Sequence, residues 1–290
     1  MALAGCATGA REPAPPVQRA AAGQSVEQLE QLRAQAIAAL ETRRAARAKQ
    51  LFESIVAQAP DDAEALTGLG EAEVLLGDYG AGLDHSRKAA ERAGERTGLK
   101  ARALYSSGIA LLLTNRTDEA ETTLVAAVEN DPRSWRAWNA LGRARDGRKD
   151  WEQARVAYER ALALAPNEGA VLNNFGLSKL SAGDLDGAAA LFVRALEASP
   201  DLAAAETNLR ITLALRGEYN EALAGVDAER MPDALNNAGY AALLRGDYPK
   251  ARVLFLQAID ASPSFYEPSW SNLRFLSSVE QRRTAAQRTP

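Results

Sequence analysis

The chain holds one cysteine, Cys6, and one histidine, His85. Nucleophilic catalysis needs a Ser, Cys or Thr beside a base, and that base is most often an imidazole. Cys6 sits in an Ala- and Pro-rich tail, whereas His85 falls inside the periodic body of the chain, so no Cys–His or Ser–His pair is expected. His85 reads as a helix-surface residue. A single thiol also excludes an internal disulfide and a thiolate zinc cluster. Gly68-Leu69-Gly70 begins like a dinucleotide-binding loop, yet it lacks the third glycine and a preceding strand. No G-x4-G-K-[ST] phosphate loop is present, and Asn115-Arg116-Thr117 is a glycosylation-type triplet at an inter-helix turn that carries no weight. The acidic residues fall on outward faces. No catalytic residue, metal site or cofactor is expected, and the chain is not expected to be an enzyme or to take a small-molecule substrate.

Since no chemistry is concentrated at a point, the elements themselves become the informative feature. The composition, 47% hydrophobic and 25% charged over 290 residues, is that of a folded chain with a sizeable core. A net charge of -4 gives no global attraction to nucleic acid. No stretch approaches the ~18 uninterrupted apolar residues of a spanning helix.

Proline recurs at Pro132, Pro166 and Pro200, a period of 34 residues. Counted back from these prolines, Gly108, Gly142 and Gly176 share one register, and Ala120, Ala154 and Ala188 share a second. Large residues follow at Leu124, Tyr158 and Phe192, then alanine again at Ala127, Ala161 and Ala195. Gly70, Gly77 and Ala89 extend the pattern one way, Gly239, Ala251, Phe255, Ala258 and Pro263 the other, and Ala48, Phe52 and Pro60 mark a weaker first copy. A helical glycine costs about 1 kcal/mol relative to alanine. Five at one register therefore imply close approach of two antiparallel helices, with backbones touching at the glycine and alanine positions and the large residue filling the space between neighbouring units. Gly77-Asp78, Gly183-Asp184, Gly217-Glu218 and Gly246-Asp247 read as turns that close one helix and open the next, with Pro249 in the first turn of its helix.

Trp138-Asn139-Ala140-Leu141-Gly142, followed by Ala154, Tyr158, Ala161 and Pro166, resembles the unit of the tetratricopeptide repeat family. The resemblance implies an all-α superhelical solenoid of about seven helix-turn-helix repeats, starting near residues 29, 63, 101, 135, 169, 203 and 232. Residues 1–24 are then a tail and flexible tether, 25–265 the solenoid, and 266–290 a capping helix with a basic tail, Trp270 standing at the register of Trp138. The period breaks twice. The second repeat is about four residues long through Gly94-Glu95-Arg96-Thr97-Gly98, and the sixth is about five short near Glu229-Arg230-Met231-Pro232. Either both are loop variation, or they delimit a regular groove between residues 101 and 228.

In that family the first helix of each repeat lines the concave face. The register assigns to it Arg102, Tyr105, Ile109 and Leu112, then Arg136, Asn139 and Arg143, then Asn173, Leu177 and Leu180, then Thr207, Ile211 and Leu215, then Asn236 and Tyr240. Apolar positions with amide and basic points suit an extended or helical peptide. The alternative is that the Leu and Ile residues only pack against adjacent repeats. Chaperone-binding relatives clamp a C-terminal carboxylate with Lys, Asn and Arg on successive repeats. Here Asn174 and Asn208 take the amide register, but Leu177, Ala170 and Ala204 occupy the basic places, so no such clamp is expected. Arg43, Arg44, Arg47 and Lys49, and Arg282, Arg283 and Arg288, read as solvated faces.

Leu3-Ala4-Gly5-Cys6 resembles the lipobox of bacterial lipoprotein precursors, with Cys6 the residue that carries the lipid. A small-residue and proline tether follows, then Ser25-Val26-Glu27-Gln28, which resembles a capping box. A secretory signal has a basic start and an apolar run of about 7 to 15 residues. Only five residues precede Cys6, so the expectation is that the natural start lies upstream of Met1. A lipid-anchored repeat solenoid, with Leu172-Asn173-Asn174-Phe175-Gly176 and Leu235-Asn236-Asn237-Ala238-Gly239, is similar to the lipoproteins of tight-adherence (Flp) pilus assembly. That similarity implies a scaffold on the periplasmic side of the outer membrane, held there by its lipid, whose partner is the secretin or another pilus-assembly component. Two other readings stay open: a cytoplasmic adaptor or chaperone-like module, and an envelope adaptor for peptidoglycan enzymes or outer-membrane protein insertion.

Overall fold

The computed structural model describes residues 26–262, 264 and 266–288, with side chains to residue 283. Cys6, the tether and Ser25 lie outside the described residues. Every regular element among the described residues is a helix. They run in pairs: α1 (Val26–Glu41) with α2 (Ala45–Val56), α3 (Ala63–Leu76) with α4 (Tyr79–Arg92), α5 (Thr97–Leu113) with α6 (Thr117–Asn130), and α7 (Trp135–Gly147) with α8 (Trp151–Leu164). Then follow α9 (Gly169–Ser181) with α10 (Leu185–Ala198), α11 (Ala203–Arg216) with α12 (Tyr219–Leu223), α13 (Met231–Leu244) with α14 (Tyr248–Ala261), and the closing α15 (Glu267–Arg288). The four extra residues of the second repeat do not loop out. They become an additional first turn of α5.

Local signals set these boundaries. Asp62, Asp78, Ser134, Asp150, Asp184 and Asp247 each accept a hydrogen bond from backbone N–H groups in the first turn of the helix they precede. Between the two helices of a pair the chain enters the left-handed region, at Gly77, Gly183, Gly217 and Gly246 and also at Arg43, Asn115 and Lys149. Trp138 Nε1 donates to the Pro132 carbonyl at 2.9 Å, which joins the signature tryptophan of one repeat to the closing proline of the repeat before.

Packing follows chain order, each helix resting on the next. The first helices of successive pairs also meet one another, α3 with α5, α5 with α7, α7 with α9, α9 with α11 and α11 with α13. The backbones of the second helices, α4, α6, α8, α10 and α14, do not approach each other, and α4 and α6 are linked through the exposed Arg87–Glu119 pair at 3.3 Å. The stack is therefore closer on the side of the first helices, which line the inside of its curve.

The core shows why glycine recurs. A Cβ placed on Gly108 would lie 2.5 Å from Leu124, on Gly142 2.7 Å from the Tyr158 ring, on Gly176 2.5 Å from the Phe192 ring, and on Gly239 2.7 Å from the Phe255 ring. In each case the large residue stands sixteen positions later, on the second helix of the same pair, and is fully buried. The expectation that backbones touch at these glycines holds in the second repeat alone. There Ser86 replaces the large residue, and a Cβ on Gly70 would meet the Ser86 hydroxyl at 2.2 Å and the Gly82 carbonyl at 2.9 Å. Elsewhere glycine opens a slot for a side chain of its own repeat. Flanking alanines, Ala120, Ala127, Ala154, Ala161, Ala188 and Ala195, are fully buried and close the slot on either side.

Polar groups stitch the repeats where the core is interrupted. Glu73, 3% exposed, is held by Lys49 at 3.4 Å and by His85 Nδ1 at 2.7 Å. His85 and Lys49, expected on solvated faces, instead contact a buried carboxylate, Lys49 as an ion pair and His85 as a hydrogen-bond partner. Asp146 on α7 accepts from the Tyr158 hydroxyl at 2.7 Å and from Ser178 of α9 at 2.6 Å. Burial pushes its carboxyl above the ordinary carboxylate range, against the opposing pull of those two hydroxyls.

Two predictions follow from this packing. Gly176→Ala gains about 1 kcal/mol of helix propensity but overpacks the Phe192 ring, at a cost of about 1–3 kcal/mol. Urea denaturation should show a net loss for Gly176→Ala that shrinks when Phe192→Leu is added, whereas a gain in the single variant would contradict the slot. Burial disfavours the charged form of the Asp146 carboxyl in the folded state, so its pKa is higher folded than unfolded. Its contribution to stability therefore rises as pH falls through its raised pKa and is complete below the ordinary carboxylate value. Asp146→Asn, which keeps an acceptor without the charge, should melt above the natural protein at pH 7, and the difference should close towards about pH 4. A difference that widens on acidification would show the charge to be stabilising.

Candidate functional site

The inner face is built from the first helices, whose residues three and four apart fall on one side. The sequence-assigned residues divide into two cavities and a stripe between them. A cavity of about 640 Å³ opens beside α5 and brings together Arg102, Tyr105, Ile109 and Arg136 with Leu40, Val74 and Leu75. Arg102 is not free there, because it binds both carboxylate oxygens of Glu71 at 2.6 and 2.5 Å. Arg136 lies over the Trp135 ring, 4.6 Å from its centroid. Burial raises the Tyr105 hydroxyl above its usual range, with Arg136 opposing, so the phenol stays neutral and can donate.

A second cavity, of about 410 Å³, collects Thr207, Ile211 and Asn236 near the C-terminal end, together with Arg210, Val226, Arg230 and Asn237. Leu112, Asn139, Arg143, Asn173, Leu177, Leu180, Leu215 and Tyr240 line neither of these cavities. Leu112 and Leu215 pack against the core, as the alternative reading had it. Leu177 and Tyr240 are exposed. Arg143 is exposed and has no ion-pair partner among the described residues.

The asparagines form a ladder across repeats. Asn174 Nδ2 donates to Asn139 Oδ1 at 3.1 Å, Asn208 Nδ2 to Asn173 Oδ1 at 2.9 Å, and Asn272 Nδ2 to Asn236 Oδ1 at 2.9 Å. Each amide of the inner row thus has its oxygen engaged and its orientation fixed. The Nδ2 groups of Asn139, Asn173 and Asn236 have no protein acceptor among the described residues and are left as donors along the groove. Such a row is matched by the carbonyls of an extended chain. Asn174 and Asn208, considered above for a carboxylate clamp, are the rungs of this ladder.

Two features escaped the sequence reading. Leu75, Leu113 and Leu244 are 62%, 44% and 63% exposed at the register of Leu215, forming apolar points at the ends of the first helices that Gly147 and Ser181 interrupt in the fourth and fifth repeats. The repeat spacing applied to Leu215 would have found them. The second is Arg210, which occupies the glycine register in the sixth repeat, with Val226 at the large-residue register sixteen positions on. Arg210 Nη1 donates to the carbonyls of Ala222 and Ala224 at 2.9 and 2.8 Å, satisfying the end of the five-residue α12. A missing glycine in an otherwise regular series was the available signal.

Among the described residues no group of three or more His, Cys, Asp and Glu side chains could hold a metal ion, and no helix is long and apolar enough to cross a membrane.

A tetratricopeptide repeat model matches residues 33–95, 105–169 and 201–264. No curated protein matches the chain. Among solved structures, the chain is similar to a tetratricopeptide repeat protein from Parabacteroides merdae, with 14% identity and a TM-score of 0.57 over 87% of this chain and 99% of that one. A thermophilic repeat protein of Thermus thermophilus shares 22% identity and a TM-score of 0.53 over 67% of this chain and 98% of that one. MamA from Desulfovibrio magneticus, residues 41 to the end, shares 24% identity and a TM-score of 0.49 over 61% of this chain and 97% of that one. The first two share the fold of stacked helical pairs. With the repeat model matching well over half of its residues, the chain belongs to the tetratricopeptide repeat family.

Proposed function

We propose that the protein is a non-catalytic scaffold that captures a protein partner along its inner face. The observation that carries this reading is the row of amide donors at Asn139, Asn173 and Asn236, locked in orientation by the ladder and flanked by Ile109, Leu177 and Ile211. A fixed row of donors engages backbone carbonyls whatever the partner's side chains, and the apolar points add selectivity. Holding these groups in place before binding lowers the entropy lost on association.

The place of action follows from the resemblance of Leu3-Ala4-Gly5-Cys6 to a lipobox. In this reading Cys6 carries the lipid, two or more acyl chains give stable anchoring, and the tether lets the solenoid reach into the periplasm from the outer membrane. The similarity to TadD, the lipoprotein of tight-adherence pilus assembly, makes the secretin the partner. The anchor then raises the local concentration of the groove around the pore it supports.

Two measurements test the two halves of this proposal. Expressed from its own locus, the protein should incorporate labelled palmitate, and Cys6→Ser should abolish the label; label retained in Cys6→Ser would rule the anchor out. Affinity purification from the same envelopes should recover secretin. The folded Leu177→Glu/Ile211→Glu variant should recover about tenfold less. Equal recovery by the variant would exclude the groove, and recovery of peptidoglycan hydrolases without secretin would move the protein to a different assembly.

A further inference from the structure

The sixth repeat lacks the side chain that fills every neighbouring slot. Tyr158, Phe192 and Phe255 bury a ring beside Gly142, Gly176 and Gly239. At the corresponding places Arg210 replaces the glycine and Val226 the ring, and helix α12 ends at Leu223. What remains open is the cavity of about 410 Å³ between α11, α13 and residues 224–230.

Its walls are specific. Ile211, Ala222, Val226, Ala234 and Ala238 supply apolar surface. Arg210 is fixed edge-on by Glu206, which accepts from Nε at 3.1 Å and Nη2 at 2.8 Å, and by the carbonyls of Ala222 and Ala224, so four of its five N–H donors are engaged and the faces of its guanidinium plane are its main free surface. A flat cation held in this way stacks on an aromatic ring. Charge does not favour an acidic or a basic ligand, because the two arginines, Arg210 and Arg230, are balanced by two carboxylates, Glu206 between them and Asp233 on the cavity wall.

The rim carries the second half of the argument. Asn237 stands at the ladder register of Asn174 and Asn208, but the residue that would accept its hydrogen bond is Thr207 rather than asparagine. Neither the Asn237 carboxamide nor the Thr207 hydroxyl has a protein partner among the described residues, and both line the cavity. A carboxamide with a free donor and a free acceptor matches one peptide unit.

We propose that this cavity receives an aromatic side chain from an extended segment of the protein partner, with Asn237 and Thr207 pairing to the peptide unit that carries it. The partner's ring takes the place of the ring that the sixth repeat does not supply. This rests on the capture of a partner by the inner face and adds the chemistry of its anchor residue.

The test uses the full chain as bait for a displayed library of random twelve-residue peptides, with affinities of the selected peptides read by fluorescence anisotropy. Selected peptides should share a Phe, Tyr or Trp, and replacing it by Ala should weaken binding about tenfold or more. Val226→Trp, which fills the cavity with the protein's own ring, should weaken the parent peptide similarly, and the two losses should not add. Ala234→Leu narrows the same cavity from a helix and serves if Val226→Trp does not fold, and Asn237→Leu should weaken binding about threefold or more. Peptides without an aromatic residue, or full affinity for the filled variants, would overturn the proposal. Loss of binding in Ile109→Asp with full affinity for the filled variants would leave inner-face capture standing without this pocket. Selection of no peptide, or binding indifferent to every variant, would overturn both.

Discussion

Each regular repeat depends on one steric pairing. A residue without a Cβ on the first helix makes room for a large side chain sixteen positions later on the second. The ring or leucine then sits within the helix pair, flanked by alanines that let the backbones stay close. The cost of a helical glycine, about 1 kcal/mol, is offset by burying a full side chain, which contributes about 1.5–3 kcal/mol. Because this pairing lies within a repeat, each pair is a unit, and the faces it presents to its neighbours hold the stack together. The second repeat satisfies the same geometry differently, drawing Gly70 and Gly82 together around the hydrogen-bonded Ser86 and Ser106. The ring of Phe52 in the first leans on Gly68 of the next pair.

The pairing also determines what the inner face can offer. With the second helices occupied by ring packing, the first helices are left to meet one another, and their contact lines bring asparagines of adjacent repeats within hydrogen-bonding distance. The ladder follows from that proximity, and its consequence is a set of amides whose oxygens are spent and whose donors point away from the rungs. At Asp146 the same junction holds a carboxylate between Tyr158 and Ser178, joining the ring of one repeat to the first helix of the next. Where the pairing fails, at Arg210 and Val226, helix α12 stops and a cavity takes its place.

Much of this was legible in the residues. The glycine and alanine registers placed Gly108, Gly142, Gly176 and Gly239, and the large residues that face them, because a 34-residue period repeats each steric demand several times. The turns were readable for the same reason. What the sequence left unread depended on partners far apart in the chain. The burial of Glu73 behind Lys49 and His85 turns on a contact between α2, α3 and α4 that no local pattern encodes. The asparagine ladder needs two registers read together across repeats, since Asn139 bonds Asn174 rather than its own equivalent Asn173. The sixth repeat was recognised as short, but its meaning lay in a substitution at the glycine register, which a search for what recurs passes over.

The most direct measurement of the central claim is native-state hydrogen exchange across the whole chain, which resolves local stability repeat by repeat. If the glycine and large-residue pairing holds each unit, amides of α9, α10, α13 and α14 should be strongly protected. Those of residues 219–230, where the pairing is absent, should form a minimum between them. Protection of residues 219–230 equal to that of the flanking repeats, or a smooth decline from the centre to the ends without that minimum, would contradict the account.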